Sequence, residues 1–158
     1  MTELHVPHPM KLLGRVTRGF YRLADVELRP YGLATGQLPV LVSLKNGQAL
    51  SQAELARIAQ VEQPSMAQLL NRMERDGLVE RLPDPQDKRS RLISLTAAAS
   101  ERLPRAKRQM ETLTSQALAG FTPEELTQFG AFLARMNDNI ERMAVGAAEA
   151  AEGAPHGD

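Results

Sequence analysis

The sequence predicts a mainly α chain with one small β-hairpin, and three observations support this. Apolar residues recur every three or four positions through most of the chain, the spacing of one helix face. Serine, threonine, proline and glycine stand where helices would begin and end. Only residues 78–82 and 91–95 alternate like strands, and the eight residues between them, PDPQDKRS, are too polar and proline-rich to be anything but a loop.

The elements follow in order. Residues 10–28 space Leu12, Leu13, Val16, Phe20, Leu23 and Val26 helically, with Lys11, Arg15, Arg18 and Arg22 between them. Pro7, Pro9 and Pro30 bound this first helix. A shorter second helix spans 35–45, with Leu38, Leu41, Val42 and Leu44 apolar, Pro39 in or near its first turn, and Asn46-Gly47 at its end. Ser51 with Glu54 three residues on predicts a capping box opening a third helix, whose buried stripe would be Leu55 and Ile58. A fourth helix begins near Pro64, buries Met66, Leu69, Leu70 and Met73, and stops at Gly77 before apolar Leu78. After the hairpin, Thr96 caps a helix over 97–118 that Pro104 should bend. A sixth helix starts with Thr122 as cap, Pro123 first, and Glu124 and Glu125 in the favourable field of its start. It is more apolar than one small domain can cover, and 146–158 is expected to fray into a disordered tail.

The chain has 158 residues, enough for one domain with a real core, or for a small domain with extra helices that pack on a partner. It has no cysteine, which removes disulfides, thiolate zinc sites and thiol chemistry together. No apolar run approaches the roughly 18 residues of a membrane span, and MTELHVPHPMK does not resemble an export signal, so the expected location is cytoplasmic. Nineteen basic and nineteen acidic residues cancel, yet the charge is placed unevenly. Residues 88–108 hold seven Lys or Arg against Glu101 alone, whereas 109–158 hold two basic residues against eight acidic ones. A local basic zone suits a polyanion partner, though clustered solvated helix faces would look the same.

Four helices, a strand, a basic loop, a strand and two helices describe a winged helix-turn-helix lobe between long terminal helices. Such a helix pair can place its second helix in the major groove of DNA while the hairpin reaches the minor groove or the backbone. The 64–76 helix would then present Pro64, Ser65, Gln68, Asn71 and Arg72, and the wing would add Lys88, Arg89 and Arg91. Asp87 is expected to pair with Arg89 and orient its guanidinium.

The residues AELARIAQVEQPSMAQLLNRMERDGLVER, 53–81, and above all DKRSRLISLT, 87–96, resemble the MarR family of transcriptional regulators near its SlyA-like branch; the latter stretch is similar to the family's Asp-x-Arg wing and Leu-Thr strand end. The resemblance covers 10–145. It implies a DNA-binding lobe over about 35–96 and dimerisation helices over about 10–30 and 97–145, in a homodimer bound to a pseudo-palindromic operator. This chain has Ala67 and Gln68 where many relatives carry small polar or basic residues, so the operator sequence does not carry over. Ala34 replaces the usual capping threonine, with Thr35 adjacent.

The resemblance also implies a small aromatic acid effector that releases a repressor from DNA, held between the dimerisation helices and the DNA-binding lobe. Arg15 and Arg18 occupy positions similar to the cations that hold its carboxylate, and Arg22 shares their face at helical spacing. His8 would add a donor from the other protomer. An exposed basic face or salt bridges would explain the same arginines. His5 and His8 lack both helical spacing and a third ligand, so no metal is expected. No nucleophile arrangement and no glycine-rich phosphate loop is present, so neither an enzyme nor a cofactor is expected. A winged-helix module for protein contacts is the competing reading.

Overall fold

The computed structural model describes residues 8–152, so His5 and positions 153–158 of the expected tail lie outside the described residues. Two compact units divide the chain, one running to Ala117 and one beginning at Leu118. The first holds α1 (Pro9–Leu28), α2 (Leu38–Ser43), β1 (Leu50–Ser51), α3 (Gln52–Ala59), α4 (Gln63–Arg75), β2 (Val79–Pro83), β3 (Arg91–Leu95) and α5 (Ala97–Ala117). The second is built on α6 (Pro123–Glu152). The chain is therefore mainly α with a small antiparallel sheet, as the sequence predicts.

The core of the first unit forms where the lobe's helices turn apolar faces to the sheet. Leu28, Leu33, Val40, Leu41, Leu44, Leu55, Met66, Leu70, Met73, Leu78, Val79 and Ile93 are buried together. β3 is central, in the order β1-β3-β2. Val79 faces Leu95 and Arg81 faces Ile93, while Leu50 of the short β1 also pairs with Ile93. The sequence suggested a two-stranded hairpin; a two-residue strand is too short to show alternation. Proline is tolerated at Pro83 because it ends an edge strand, where no ladder bond is lost.

Local chemistry sets the helix limits. Ser51 Oγ accepts from the Glu54 amide at 3.2 Å, and Glu54 Oε2 accepts from the Ser51 amide at 2.8 Å, which is the anticipated capping box. The Ser51 bonds also hold the Glu54 carboxyl below its ordinary range. α4 ends with Gly77 left-handed at φ 70; the Gly77 amide donates to Glu74 O at 3.0 Å and the Leu78 amide to Met73 O at 2.8 Å. Thr96 does two jobs at the start of α5. Its Oγ1 accepts from the Ala99 amide at 3.1 Å and donates to Gly77 O at 2.7 Å. In the second unit Thr122 and Glu125 form another reciprocal box, at 2.8 and 3.2 Å.

Several expectations change. The second helix, read as 35–45, is a 3-10 turn at Thr35–Gln37 followed by the six-residue α2. Ile58 is exposed, and Leu55 with Ala56 forms the buried edge of α3. α5 stays helical through Pro104; that residue and Ser100 are both exposed, so the carbonyl left without its donor is open to water. α6 reaches Glu152, so 146–152 is helical, not the disordered tail expected from its small residues. Alanine and glutamate, the main residues there, are among the best helix formers. On α1 the residues buried are Ala24 and Leu28, whereas Leu12, Val16, Leu23 and Val26 are about half exposed or more, at 42, 57, 58 and 52%.

Asp25 ties α1 to the 3-10 turn that precedes α2, where Ala34 cannot cap. Its Oδ1 accepts from the Thr35 amide at 2.7 Å, and that bond, reinforced by the Thr35 side chain, holds the Asp25 carboxyl below its ordinary range. A depressed carboxylate stabilises the fold above its unfolded pKa and loses that contribution as pH falls through its folded value. Asp25→Ala should therefore cost about 1 kcal/mol near neutral pH. Unfolding of both proteins at fixed concentration across pH checks this: the gap should close as pH drops below about 4. A gap that stays constant would mean that the charge of Asp25 plays no part.

Candidate nucleic-acid interface

α4 has two faces. Met66, Leu70 and Met73, at spacings of four and three, are fully buried and anchor the helix to the lobe. Opposite them Pro64, Ser65, Gln68, Asn71 and Arg72 are all exposed. The structure thus brings together, on one solvent-facing surface, the five residues expected there. α3 and α4 are joined through residues 60–62, with Gln60 left-handed at φ 53 and its amide donating to Arg57 O at 3.2 Å. The Val61 amide returns to Ala56 O at 3.0 Å, closing the tight turn that a helix-turn-helix needs. Gln52 Nε2 donates to Gln63 Oε1 at 3.2 Å, linking the first turns of the two helices.

The wing is shaped by its acids. Asp84 Oδ1 accepts from the Gln86 amide at 2.8 Å, and Asp87 Oδ1 from the Arg89 amide at 2.9 Å, two successive turns closed by an aspartate. The Ser90 amide donates to Asp87 O at 2.9 Å. This corrects the expected Asp87–Arg89 ion pair: Asp87 holds the main chain of Arg89, not its guanidinium. Two residues of separation in a turn favour the amide, which is closer than the end of a long side chain. Lys88, Arg89 and Arg91 are exposed, and none of them forms an ion pair among the described residues.

A third feature was not legible in the sequence. Arg81, on β2, donates from Nε to Glu74 Oε2 at 3.0 Å and from Nη2 to Asn71 Oδ1 at 2.7 Å, so the wing strand is clamped to α4. The residues are seven and ten positions apart on different elements, a distance at which no local pattern operates.

Further basic residues lie on the helices. Arg102, Arg105, Lys107 and Arg108 of α5 are exposed, and the contact of Lys107 with Glu111 at 3.6 Å is too solvated to matter much. Arg15, Arg18 and Arg22 are exposed on α1. His8 precedes that helix and caps it, with Nδ1 accepting from the Met10 amide at 3.3 Å, which leaves Nε2 as its donor. Among the described residues, no cluster of three or more His, Asp or Glu is placed to hold a metal, and no helix is long and apolar enough to cross a membrane.

A lobe with an exposed polar helix beside a preformed cationic wing defines a winged-helix DNA-binding protein. Residues 31–90 match the model of the MarR family. The transcriptional activatory protein BadR of Rhodopseudomonas palustris is 32% identical over 152 residues, covering 88% of this chain and 86% of BadR. The HTH-type transcriptional regulator YybA of Bacillus subtilis is 29% identical over 133 residues, 84% of this chain and 89% of YybA. Among solved structures, a cysteine-to-serine variant of MarR from E. coli complexed with operator DNA matches with a TM-score of 0.73 at 25% identity, over 80% of this chain and 91% of that one. The chain belongs to the MarR family. It is a DNA-binding transcriptional regulator and not an enzyme.

The role of Asp87 as a turn former can be separated from its charge. Asp87→Asn keeps an acceptor for the Arg89 amide, whereas Asp87→Ala removes it. Losing a bond of about 1 kcal/mol should raise tryptic cleavage after Lys88 and Arg89 roughly fivefold in Asp87→Ala and little in Asp87→Asn. Equal acceleration in both variants would point to the charge instead.

Proposed function

We propose that the protein is a homodimeric repressor of a pseudo-palindromic operator, released by a small aromatic carboxylate. α4 enters the major groove with Pro64, Ser65, Gln68, Asn71 and Arg72, while Asp87 holds Lys88, Arg89 and Arg91 of the wing toward the adjacent minor groove or backbone. One observation carries this reading: the wing cations form no ion pair among the described residues and sit on a main chain already fixed by Asp84 and Asp87, beside an exposed polar helix face. Cations without internal partners are free to replace the counterions of DNA.

Dimerisation is supported by two apolar surfaces. Leu12, Val16, Leu23 and Val26 form an exposed stripe on α1, and Phe129, Phe132, Ile140 and Met143 form another on α6. Large apolar side chains in such stripes call for a covering surface. Release requires a ligand that favours a dimer whose recognition helices no longer sit about one helical turn of DNA apart. Arg15, Arg18 and Arg22, with His8 from the partner protomer, are the candidate holders of its carboxylate. The name of BadR favours a second reading of the same dimer, activation of transcription, in which the DNA contacts are unchanged.

Arg89→Ala should weaken binding to duplex from the chain's own upstream region by roughly 1–3 kcal/mol and flatten its salt dependence, without unfolding the protein. Unchanged affinity in a salt titration would remove Arg89 from the contact. Arg15→Ala and Arg18→Ala should leave DNA binding intact but abolish both release by aromatic carboxylates and the rise in melting temperature these cause. Release at wild-type concentrations would place the effector elsewhere.

A further inference from the structure

We infer that Asn71 reads bases chiefly through the Nδ2 donors, because Arg81 holds its carbonyl oxygen toward the wing strand, which makes Arg81 a positioning residue for sequence choice. The inference rests on the placement of α4 in the major groove proposed above.

Arg81 sits on β2 opposite Ile93, its guanidinium spread between two residues of α4: Nε on Glu74 Oε2 at 3.0 Å and Nη2 on Asn71 Oδ1 at 2.7 Å. A guanidinium has donors and no acceptor. The amide atom facing it must therefore be the oxygen, so the amide orientation of Asn71 is set by its partner. The Glu74 contact holds the guanidinium from its other side, and the fork cannot swing away without giving up an ion pair. One lone pair of Asn71 Oδ1 is thus taken and the amide plane fixed, while the two N–H groups of Nδ2 have no partner among the described residues. Asn71 is exposed and lies one turn from Gln68 and beside Arg72 on the face assigned to DNA.

This orientation has a consequence for base recognition. The usual asparagine contact with adenine is bidentate, the side-chain oxygen accepting from N6 while the amide nitrogen donates to N7. With its oxygen held by Arg81, Asn71 can reach that bidentate geometry only through the second lone pair of Oδ1 alongside the guanidinium, an arrangement the clamp disfavours. A donor instead suits base edges rich in acceptors, O6 and N7 of guanine or O4 of thymine; adenine offers N7 alone, beside an N6 donor that would need the clamped oxygen. Cytosine, which shows only an N4 donor in the major groove, is the base it should reject most strongly.

The test is selection of bound duplexes from a randomised pool, by the wild type and by Asn71→Ala, Asn71→Asp and Arg81→Met, with thermal melting to confirm folding. Asn71→Ala is expected to lose discrimination at one position per half-site, by roughly 5- to 150-fold, and the wild-type base there should be guanine or thymine. In Asn71→Asp one oxygen stays on Arg81 and the outward N–H groups become an acceptor, so preference at that position should move to cytosine. Arg81→Met frees the Asn71 oxygen and should admit adenine there. Should Arg81→Met fail to fold, Asn71→Asp still decides, because it keeps the clamp. Wild-type adenine or cytosine at the Asn71-dependent position would overturn the inference, as would Asn71→Ala leaving every position unchanged while specific binding persists. A wild type that enriches no sequence would overturn the DNA-reading proposal itself, a result distinguishable from the other two.

Discussion

Much of the structure depends on the turn at Gly77. Its left-handed backbone lets the Gly77 and Leu78 amides fold back onto Glu74 O and Met73 O, which ends α4 and leaves only three residues before β2. Thr96 then meets the same turn from the far end of the hairpin, donating through Oγ1 to Gly77 O and through its amide to Leu78 O. One turn thus fixes where α4 stops, where the hairpin begins and where α5 starts. Any residue with a side chain at Gly77 would have to hold a conformation that costs roughly 1–2 kcal/mol. Buried Leu78 anchors the turn in the core of the lobe.

The wing shows how a neutral chain prepares a cationic contact. Its acids are not spent neutralising neighbouring cations; Asp84 and Asp87 are both occupied with main-chain amides. That arrangement lowers the number of conformations available to the loop while leaving the charge of Lys88, Arg89 and Arg91 outward, so less ordering entropy is lost when a polyanion binds. Eight of the nineteen acids lie beyond residue 108, where only two basic residues stand. Net charge was therefore a poor guide to this molecule, and charge placement a good one.

The apolar residues divide by location. The lobe satisfies its own burial through one cluster that includes the buried face of each helix of the α3–α4 pair and the central strand. α1 and α6 do not: each carries large side chains in helical register that stay exposed in a single chain. On the homodimer reading, the stability of the long helices is inseparable from protomer concentration, whereas that of the lobe is mostly internal. A ligand that acts on the first kind of contact could then change the spacing of two lobes without disturbing either one.

The sequence by itself determined what local chemistry controls. The Ser51 box, the Gly77 stop, the Thr96 and Thr122 caps, the limits of β3 and the identity of the wing loop all depend on residues within a turn of one another, so they were legible before any fold was known. The exposed residues of α4 were legible for the same reason, since Met66, Leu70 and Met73 declare the buried side and leave Ser65, Gln68 and Asn71 outside. Tertiary structure alone decided the rest. Ile58 is apolar at helical spacing, yet the packing of α3 buries Ala56 in its stead; β1 exists only because β3 offers an edge; and the stripe on α1 points away from its own core. The clamp of Arg81 on Asn71 and Glu74 joins a strand to a helix, and Asp87 chose an amide over a guanidinium through the geometry of its turn. Periodicity and capping act along the chain. These contacts depend on which surfaces the fold places face to face, and that is a property of the assembled lobe.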